Sequence, residues 1–333
     1  MNIRPVSRRM CLCAVILTLI VVAMPMGLSA SGDDGRGFDH VFIIMMENTG
    51  YGALIGNSNA PFINAAASQR GLATNYYGVT HPSQPNYIAA TSGSTNGVAD
   101  DSDTTIDVVN IVDQLDARGK TWKAYMQSYS LCTTPLDHAC GNQLYERKHN
   151  PFISYADVQN NATRVAKIVD FTQLATDLAS NTVPDYVWIS PDQCNDMHGR
   201  GATPADPCDF SQVPALISAG DTFLLNTVNA IMTSKAWTGN SVIFIVWDES
   251  DFTGSGPFGF GDTSGCCDAN PGGGHVVGLV ISNALRFARS SRAAFNHYSM
   301  LATIQESWHL GCLAFTCDTA NVPTMSALVR TDD

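Results

Sequence analysis

Positive charge is scarce in this sequence. Its 333 residues include 18 lysines and arginines against 30 aspartates and glutamates, which gives a formal net charge of −12 at pH 7. A chain this acidic repels nucleic-acid backbones and anionic membrane surfaces, so no nucleic-acid partner is expected. A site that handles phosphate would therefore need a local source of positive charge, and a bound metal ion would supply one.

Several sequence patterns are missing as well. No Gly-x-Ser-x-Gly sequence occurs, which counts against a serine hydrolase that works without a metal. No Cys-x-x-Cys pair occurs, which counts against a thiolate metal site. There is also no internal repeat and no low-complexity linker, so residues 31–333 are expected to form a single domain.

The N-terminal residues 1–30 have the pattern of a secretory signal peptide. Three arginines precede an almost wholly apolar run from Cys11 to Leu28, and small residues lead to a cleavage site after Ala30. An uncleaved membrane anchor is the alternative, since the run approaches the minimum length that spans a bilayer. No later segment is expected to cross a membrane. The mature chain is therefore expected to be secreted or extracytoplasmic, with a net charge changed from −12 to −15 by the loss of three arginines.

Cysteine usage agrees with export. Two of the ten cysteines, Cys11 and Cys13, lie in the signal-like segment, and the other eight suit disulfides. Short-range pairing is expected, with no partner assigned to the adjacent Cys266 and Cys267. The expected pairs are Cys132–Cys140, Cys194–Cys208 and Cys312–Cys317.

Apolar runs of strand length alternate with segments of helical periodicity. Strands are predicted over 40–46, 74–79, 121–126, 185–190, 241–247 and 275–282. Helices are predicted over 61–70, 106–118, 171–178, 222–237 and 298–309, with another beginning near Pro85. This alternation predicts an α/β fold with a mainly parallel central sheet and helices on both faces.

Polar clusters follow three of the predicted strands, and we expect them to meet at one edge because ligands bind beyond the carboxyl ends of such sheets. The clusters are Glu47-Asn48, then Asp192 with Asn195, Asp196 and His198, then Asp248-Glu249. Bare carboxylates so close together repel unless some are protonated or a cation lies between them. Oxygen ligands suit Ca²⁺, Mg²⁺ or Mn²⁺, with Zn²⁺ an option if histidines dominate. The alternative is that these acids only cap helices.

Ser83 precedes the helix predicted near Pro85. A helix N-terminus favours an anion, although serine is also a common N-cap. Beside a metal ion the Ser83 hydroxyl would become a nucleophile at accessible pH. Asn86, one helical turn further on, would donate an amide hydrogen bond to a phosphate oxygen, and His198 or His275 would protonate the leaving group.

Several motifs, in order from about residue 40 to 310, together resemble the bacterial phosphoesterase family of acid phosphatases and phospholipases C. They are Met46-Glu-Asn48, Thr74-Asn-Tyr-Tyr77, His81-Pro-Ser-Gln-Pro-Asn-Tyr87, Lys148-His-Asn-Pro-Phe152, Asn195-Asp-Met-His198, Trp247-Asp-Glu249, His275-Val-Val-Gly-Leu-Val-Ile-Ser282 and Asn296-His-Tyr-Ser299. The family is similar to alkaline phosphatases in fold, which implies a central sheet between helices and a metal-assisted nucleophile.

The resemblance also implies residue roles. Metal ligation is implied for Glu47, Asn48, Asp248 and Glu249; catalysis for Ser83, Asn86, His198 and His275; and substrate binding for His81, His149 and Asp196. Family members often carry a second aspartate where this chain has Glu249, so the coordination mode of Glu249 is left open.

The implied activity is that of a secreted, metal-dependent phosphatase that hydrolyses phosphate monoesters of small molecules or lipid head groups, including phosphoinositides. A phosphoserine on Ser83 would be its intermediate. The chain length is closer to the compact phosphatases than to the larger phospholipases C. A phospholipase C-type diesterase remains the alternative, as does a non-catalytic protein that is stabilised by calcium.

Overall fold

The computed structural model describes residues 37–251, 261–285 and 287–330. The predicted signal peptide and residues 252–260 of the glycine-rich loop lie outside these described residues. The strands are β1 Val41–Met46, β2 Gly71–Tyr77, β3 Trp122–Met126, β4 Ala139–Cys140, β5 Tyr145–Glu146, β6 Ile168–Asp170, β7 Tyr186–Ser190, β8 Val242–Trp247, β9 His275–Ser282 and β10 Arg289–Asn296.

Eight of these strands form one sheet in the order β10-β2-β9-β8-β1-β7-β3-β6. Strand β9 runs antiparallel to β2 and β8, and the other neighbouring strands are parallel. The predicted fold class is therefore confirmed. Because β9 is reversed, its amino end at His275 lies at the edge where the parallel strands have their carboxyl ends. Strands β4 and β5 pair separately as a short hairpin.

The centre of the sheet holds the core. All residues of β1, β7 and β8 are buried, as their continuous apolar runs predict for strands that are covered on both faces. Each large apolar side chain removed from water there stabilises the fold by about 1.5–3 kcal/mol. This packing fixes the register of β1 against β8, in which Met46 lies opposite Trp247. The chain segments that follow these two strands consequently leave the sheet side by side.

The helices are α1 Tyr51–Leu54, α2 Pro61–Gln69, α3 Ser83–Ser92, α4 Ile111–Arg118, α5 Ala156–Gln159, α6 Ala162–Val165, α7 Gln173–Ser180, α8 Val213–Thr233, α9 His297–Trp308 and α10 Ser326–Val329. Helix α3 packs against α9, and α8 packs against α2 and α7. The helix predicted over 106–118 begins only at Ile111, because Asn110 caps it and forms a capping box with Asp113.

Helix α8 is longer than the sequence predicted, since it begins at Val213 rather than at Thr222. Gly220 and Asp221, two residues that are poor helix formers, lie inside this helix because each meets a requirement of the neighbouring segments. A Cβ on Gly220 would lie 2.5 Å from Met197 Cγ, and Asp221 accepts hydrogen bonds from the first N–H groups of α2. By length and composition alone α8 could cross a membrane, contrary to the sequence expectation, but half of it is buried within this fold.

Four disulfides link the eight cysteines beyond the signal-like segment. The three predicted pairs, Cys132–Cys140, Cys194–Cys208 and Cys312–Cys317, are present. The two cysteines left without a predicted partner, Cys266 and Cys267, are bonded to each other.

Candidate active site

The carboxyl ends of β1 and β8 bring three acidic side chains together. Glu47 follows β1, and Asp248 and Glu249 follow β8; all three are fully buried. Asn48 has a left-handed backbone with φ of 50°, a conformation that asparagine tolerates. In this conformation its backbone N–H donates a hydrogen bond to Asp248 Oδ1 at 3.0 Å, which ties the two strand ends together.

Ser83 is the first residue of α3 and is buried directly beneath these acids. Its Oγ lies 3.1 Å from Glu47 Oε2 and 3.0 Å from Glu249 Oε1. A hydroxyl carries one hydrogen, so Ser83 can donate to only one carboxylate at a time. The serine oxygen therefore faces two acceptors at the positive end of a helix.

The turn between β2 and α3 places Ser83 there, and Asn86 holds that turn. Asn86 Oδ1 accepts hydrogen bonds from the backbone N–H groups of Val79 and Thr80, while its Nδ2 donates to the carbonyls of Thr80 and Pro82. Sequence reasoning expected an amide that donates to phosphate, but both N–H groups of Asn86 already have backbone acceptors. Gly78 allows the close approach of this turn to β8, because a Cβ there would lie 2.6 Å from the Asp248 carbonyl oxygen.

The third strand end, after β7, adds Asp196 to the cluster and joins it to His149. His149 Nε2 lies 3.1 Å from Glu47 Oε1, and its Nδ1 lies 3.6 Å from Asp196 Oδ2. The imidazole stacks on Tyr87 of α3, with ring centroids 5.2 Å apart. Burial lowers the pKa of His149 well below its ordinary value.

His198 lies beside this cluster and lines a cavity of about 240 Å³ together with Asp101, Lys148, Arg200 and other residues. Its ring Nδ1 lies 2.7 Å from the Gly199 carbonyl oxygen. Burial, assisted by the positive charge of Lys148, lowers the pKa of His198 to about 4. Its other ring nitrogen is therefore unprotonated at neutral pH and acts as a hydrogen-bond acceptor.

Three further histidines lie at this edge of the sheet. His81 contacts Glu249 through Nδ1, and its pKa is raised because this carboxylate outweighs the effect of burial. His275 contacts the Thr74 carbonyl oxygen at 2.9 Å and stacks on Tyr51, so its ring packs outside the Ser83 cluster. Sequence reasoning missed His297, although its motif was visible; this buried residue contacts the Asp248 carbonyl oxygen at 2.7 Å.

The cluster around Ser83 has an unbalanced charge. Burial, together with repulsion between neighbouring carboxylates, raises the pKa values of Glu47, Asp248 and Asp196 well above their ordinary values. Several buried polar atoms also make no hydrogen bond of good geometry: Asn48 Oδ1, Asp196 Oδ2 and Asp248 Oδ2, and also Glu47 Oε1 and His149 Nε2, which lie 3.1 Å apart. Unpaired buried charges are costly to fold. Oxygen-rich donors of this kind fit a hard divalent cation.

A second group of potential metal ligands does not compete with this one. Among the described residues, Cys132, Asp137 and Cys140 form the group whose ligand atoms lie within 4.8 Å of one another. Both of these sulfurs belong to a disulfide and therefore offer no thiolate. The carboxylates around Ser83 are not so closely spaced, but they are buried, and one oxygen each of Glu47, Asp196 and Asp248 makes no hydrogen bond.

A larger cavity, of about 680 Å³, lies between α7 and α8. Its walls are mostly apolar and include Phe171, Leu174, Leu178 and Phe223. Asn195, from the segment that follows β7, also lines this cavity. This cavity contains none of the acids or histidines described above, whereas the 240 Å³ cavity contains Asp101 and His198.

Comparison with solved structures shows a fold like that of the alkaline phosphatase superfamily. A member of that superfamily from Vibrio parahaemolyticus superimposes with a TM-score of 0.53 at 13% identity, covering 84% of this chain and 68% of that one. The phosphonate monoester hydrolase of Agrobacterium radiobacter superimposes with a TM-score of 0.51 at 12% identity, covering 81% and 74%. At such identities the likeness concerns the fold alone.

The sequence comparison is more specific. The chain belongs to the Phosphoesterase family, whose model matches residues 57–311. A probable acid phosphatase of Kluyveromyces lactis is 29% identical over 87% of this chain, and an acid phosphatase of Aspergillus fumigatus is 28% identical over 85%. The chain spans 62% and 58% of the lengths of these two relatives. A phosphatidylinositol-3-phosphatase of Mycobacterium tuberculosis is 28% identical, covering 72% of this chain and 73% of that protein.

Proposed function

We propose that this protein is an exported phosphatase that hydrolyses phosphate monoesters, with Ser83 as its nucleophile. One observation carries the proposal: the Ser83 hydroxyl lies at the N-terminus of α3 between the buried carboxylates of Glu47 and Glu249. A structural N-cap needs no such acids, because it satisfies the helix N–H groups by itself. The side chain of Ser83 bonds to acids from two strand ends instead.

A divalent cation fits the same cluster. Its ligands would be Glu47, Asn48, Asp248 and Glu249, which include three of the unpaired buried oxygens at this edge. When bound, the cation would lower the pKa of the serine hydroxyl and neutralise charge on the phosphoryl group. The donor set is compatible with Ca²⁺, Mg²⁺, Mn²⁺ or Zn²⁺.

The reaction we propose proceeds in two transfers. Ser83 Oγ attacks phosphorus and gives up its proton, for which Glu47 and Glu249 are the adjacent acceptors. The ester oxygen leaves, and a phosphoserine remains on α3. Water then attacks phosphorus, releasing inorganic phosphate and restoring the serine. The proton that Ser83 gives to a carboxylate passes to the leaving oxygen, and His198, whose Nδ1 lies at the Gly199 carbonyl, is placed in the cavity wall to accept a proton from the attacking water, which then restores the serine hydroxyl.

The substrate we propose is a phosphorylated small molecule or lipid head group. The cavity lined by His198 and Lys148 is small, and most of its lining side chains are polar or charged, which suits a head group. The named activities of the relatives, acid phosphatases and a phosphatidylinositol-3-phosphatase, support a monoesterase. Export through a cleaved signal at residues 1–30, followed by one domain over 31–333, agrees with the four disulfides.

The test is an assay of the purified mature chain on p-nitrophenyl phosphate, with and without EDTA. The Ser83→Ala variant should lose turnover, whereas Ser68→Ala, a change of an exposed serine in α2, should keep it. EDTA should abolish wild-type turnover, and a divalent ion should restore it. Turnover that survives both chelation and Ser83→Ala would contradict the proposal. Hydrolysis of a choline phospholipid without hydrolysis of the monoester would favour the phospholipase C-type diesterase.

A further inference from the structure

Lys148 is a largely buried cation next to the Ser83 cluster, and neither sequence reasoning nor the proposed reaction gave it a role. It lies in the single-turn 3₁₀ helix Arg147–His149, and its side chain is 14% exposed. Its Nζ lies 2.9 Å from Asp101 Oδ2. Lys148 lines the 240 Å³ cavity together with Asp101 and His198.

The same Asp101 carboxylate also binds the start of α3. Its Oδ1 accepts a hydrogen bond at 2.9 Å from the backbone N–H of Gln84, the residue that follows Ser83. One anion therefore accepts from a helix N–H and from a buried ammonium group, immediately beside the serine. Two oxygens of a bound phosphate would accept hydrogen bonds from the same two donors, in place of the carboxylate.

The positive charge of Lys148 also reaches His198 in the same cavity, whose pKa it lowers. In return, the negative charges of Glu47 and Asp101 raise the pKa of Lys148, overcoming the effect of its burial. The ammonium group is thus held charged, within electrostatic range of the catalytic cluster.

We propose that Lys148 Nζ and the Gln84 N–H bind the substrate phosphate beside Ser83, and that this phosphate displaces the Asp101 carboxylate, which occupies both donors in the free protein. The inference rests on the proposed function and adds a source of specificity to it. A monoester phosphate carries up to two negative charges and a diester carries one. A fixed cation therefore favours the monoester.

The experiment measures the dissociation constant of inorganic phosphate by calorimetry, on metal-loaded protein, beside kcat/KM for a monoester and a diester. Lys148→Met should weaken phosphate binding about tenfold or more, since a hydrogen bond to a charged group is lost. It should also lower kcat/KM more for p-nitrophenyl phosphate than for bis-p-nitrophenyl phosphate. Lys148→Arg should keep most of the affinity. Asp101→Asn should tighten phosphate binding severalfold, because the competing carboxylate is removed.

The control is Lys120→Met, which removes a lysine of another Lys–Asp pair, formed with Asp185 at the opposite edge of the sheet. It should leave phosphate binding unchanged. If Lys148→Met fails to fold, the double variant Lys148→Met/Asp101→Asn removes both charges and should still bind phosphate more weakly than Asp101→Asn alone. A folded Lys148→Met protein that binds phosphate as tightly as the wild type overturns the inference alone. A wild type that neither hydrolyses the monoester nor binds phosphate overturns the proposed function as well.

Discussion

Acidic side chains at the two edges of the central sheet lie in opposite environments. At the amino edge, Asp185 accepts hydrogen bonds from Lys120 Nζ, Thr121 N and Thr121 Oγ1 at 3.0, 2.8 and 2.6 Å. Partial burial acts to raise the pKa of Asp185, but these hydrogen bonds lower it overall. At the carboxyl edge, Glu47 and Asp248 are fully buried, their pKa values are raised, and one oxygen of each has no hydrogen-bond partner.

This difference separates an acid that stabilises the fold from acids that make folding harder. A carboxylate with a lowered pKa contributes stability at neutral pH, whereas buried carboxylates with raised pKa values reduce it. Clusters of the second kind are typical of functional sites, since folding alone does not favour them. A bound cation would remove the conflict at the carboxyl edge, because it gives the unpaired oxygens a partner.

The largest expected effect is on activity at the carboxyl edge. Asp248→Asn removes one charge from the proposed cation site, so kcat for p-nitrophenyl phosphate should fall by about a thousandfold. Thermal unfolding in EDTA should show the variant to be at least as stable as the wild type, because a buried repulsive charge is gone. Asp185→Asn is the matched control and should keep full activity. Equal activity of the two variants would remove the contrast between the edges.

The next effect is stabilisation by a metal. Divalent ion added to the EDTA-stripped wild type at about 100 times its dissociation constant should raise the free energy of unfolding by about 2.7 kcal/mol. Asp248→Asn should respond much less, and Asp185→Asn should respond as the wild type does. Differential scanning fluorimetry across a series of divalent ions measures this. A similar response in all three proteins would place the cation elsewhere.

A smaller effect is expected at the amino edge. Asp185→Asn weakens the hydrogen bonds to Thr121 and removes the charge that pairs with Lys120. The pair is partly exposed, so the free energy of unfolding should fall by only about 1 kcal/mol. Urea unfolding at pH 7 measures the change. A loss of activity per folded molecule would mean that the amino edge is not purely structural.

The smallest effect concerns pH. Because the folded-state pKa of Asp185 is lowered, its contribution to stability is complete above its unfolded pKa, about 3.9, and is lost as the pH falls through the folded value. The stability gap between the wild type and Asp185→Asn should therefore be constant above about pH 5 and should narrow in more acidic buffer. Urea titrations over this range, made on both proteins in EDTA, provide the measurement. A gap independent of pH would show that the Asp185 charge does not stabilise the fold.

The sequence predicts the centre of this sheet well and its margins poorly. Strands β1 and β8 are continuous apolar runs, so their burial and order follow from composition. Strand β10, which sequence reasoning missed, is an edge strand whose first residues are polar and half-buried or exposed, without an apolar pattern. Strand β6 has only three residues and lies at the other edge. Edge strands depend on pairing with a neighbour, which no local pattern records.

The same limit applies to the site. Glu47, Asp248 and Glu249 come together because each follows a predicted strand, and Ser83 joins them at a predicted helix start. The contact between Asp101 and Lys148 joins residues 47 positions apart, through a loop that folds back over α3. Asn86 was correctly placed near the serine, but its hydrogen bonds to the turn at 79–82 could be seen only in three dimensions.

The most direct test of the account is to trap the enzyme during turnover. Metal-loaded protein would be mixed with a phosphate monoester, quenched in acid and digested, and each peptide examined by mass spectrometry for a phosphoryl group. The account predicts one phosphoryl group on the peptide that carries Ser83, absent from Ser83→Ala and from EDTA-treated protein. A phosphoryl group on a different residue of a protein that hydrolyses the monoester would contradict it.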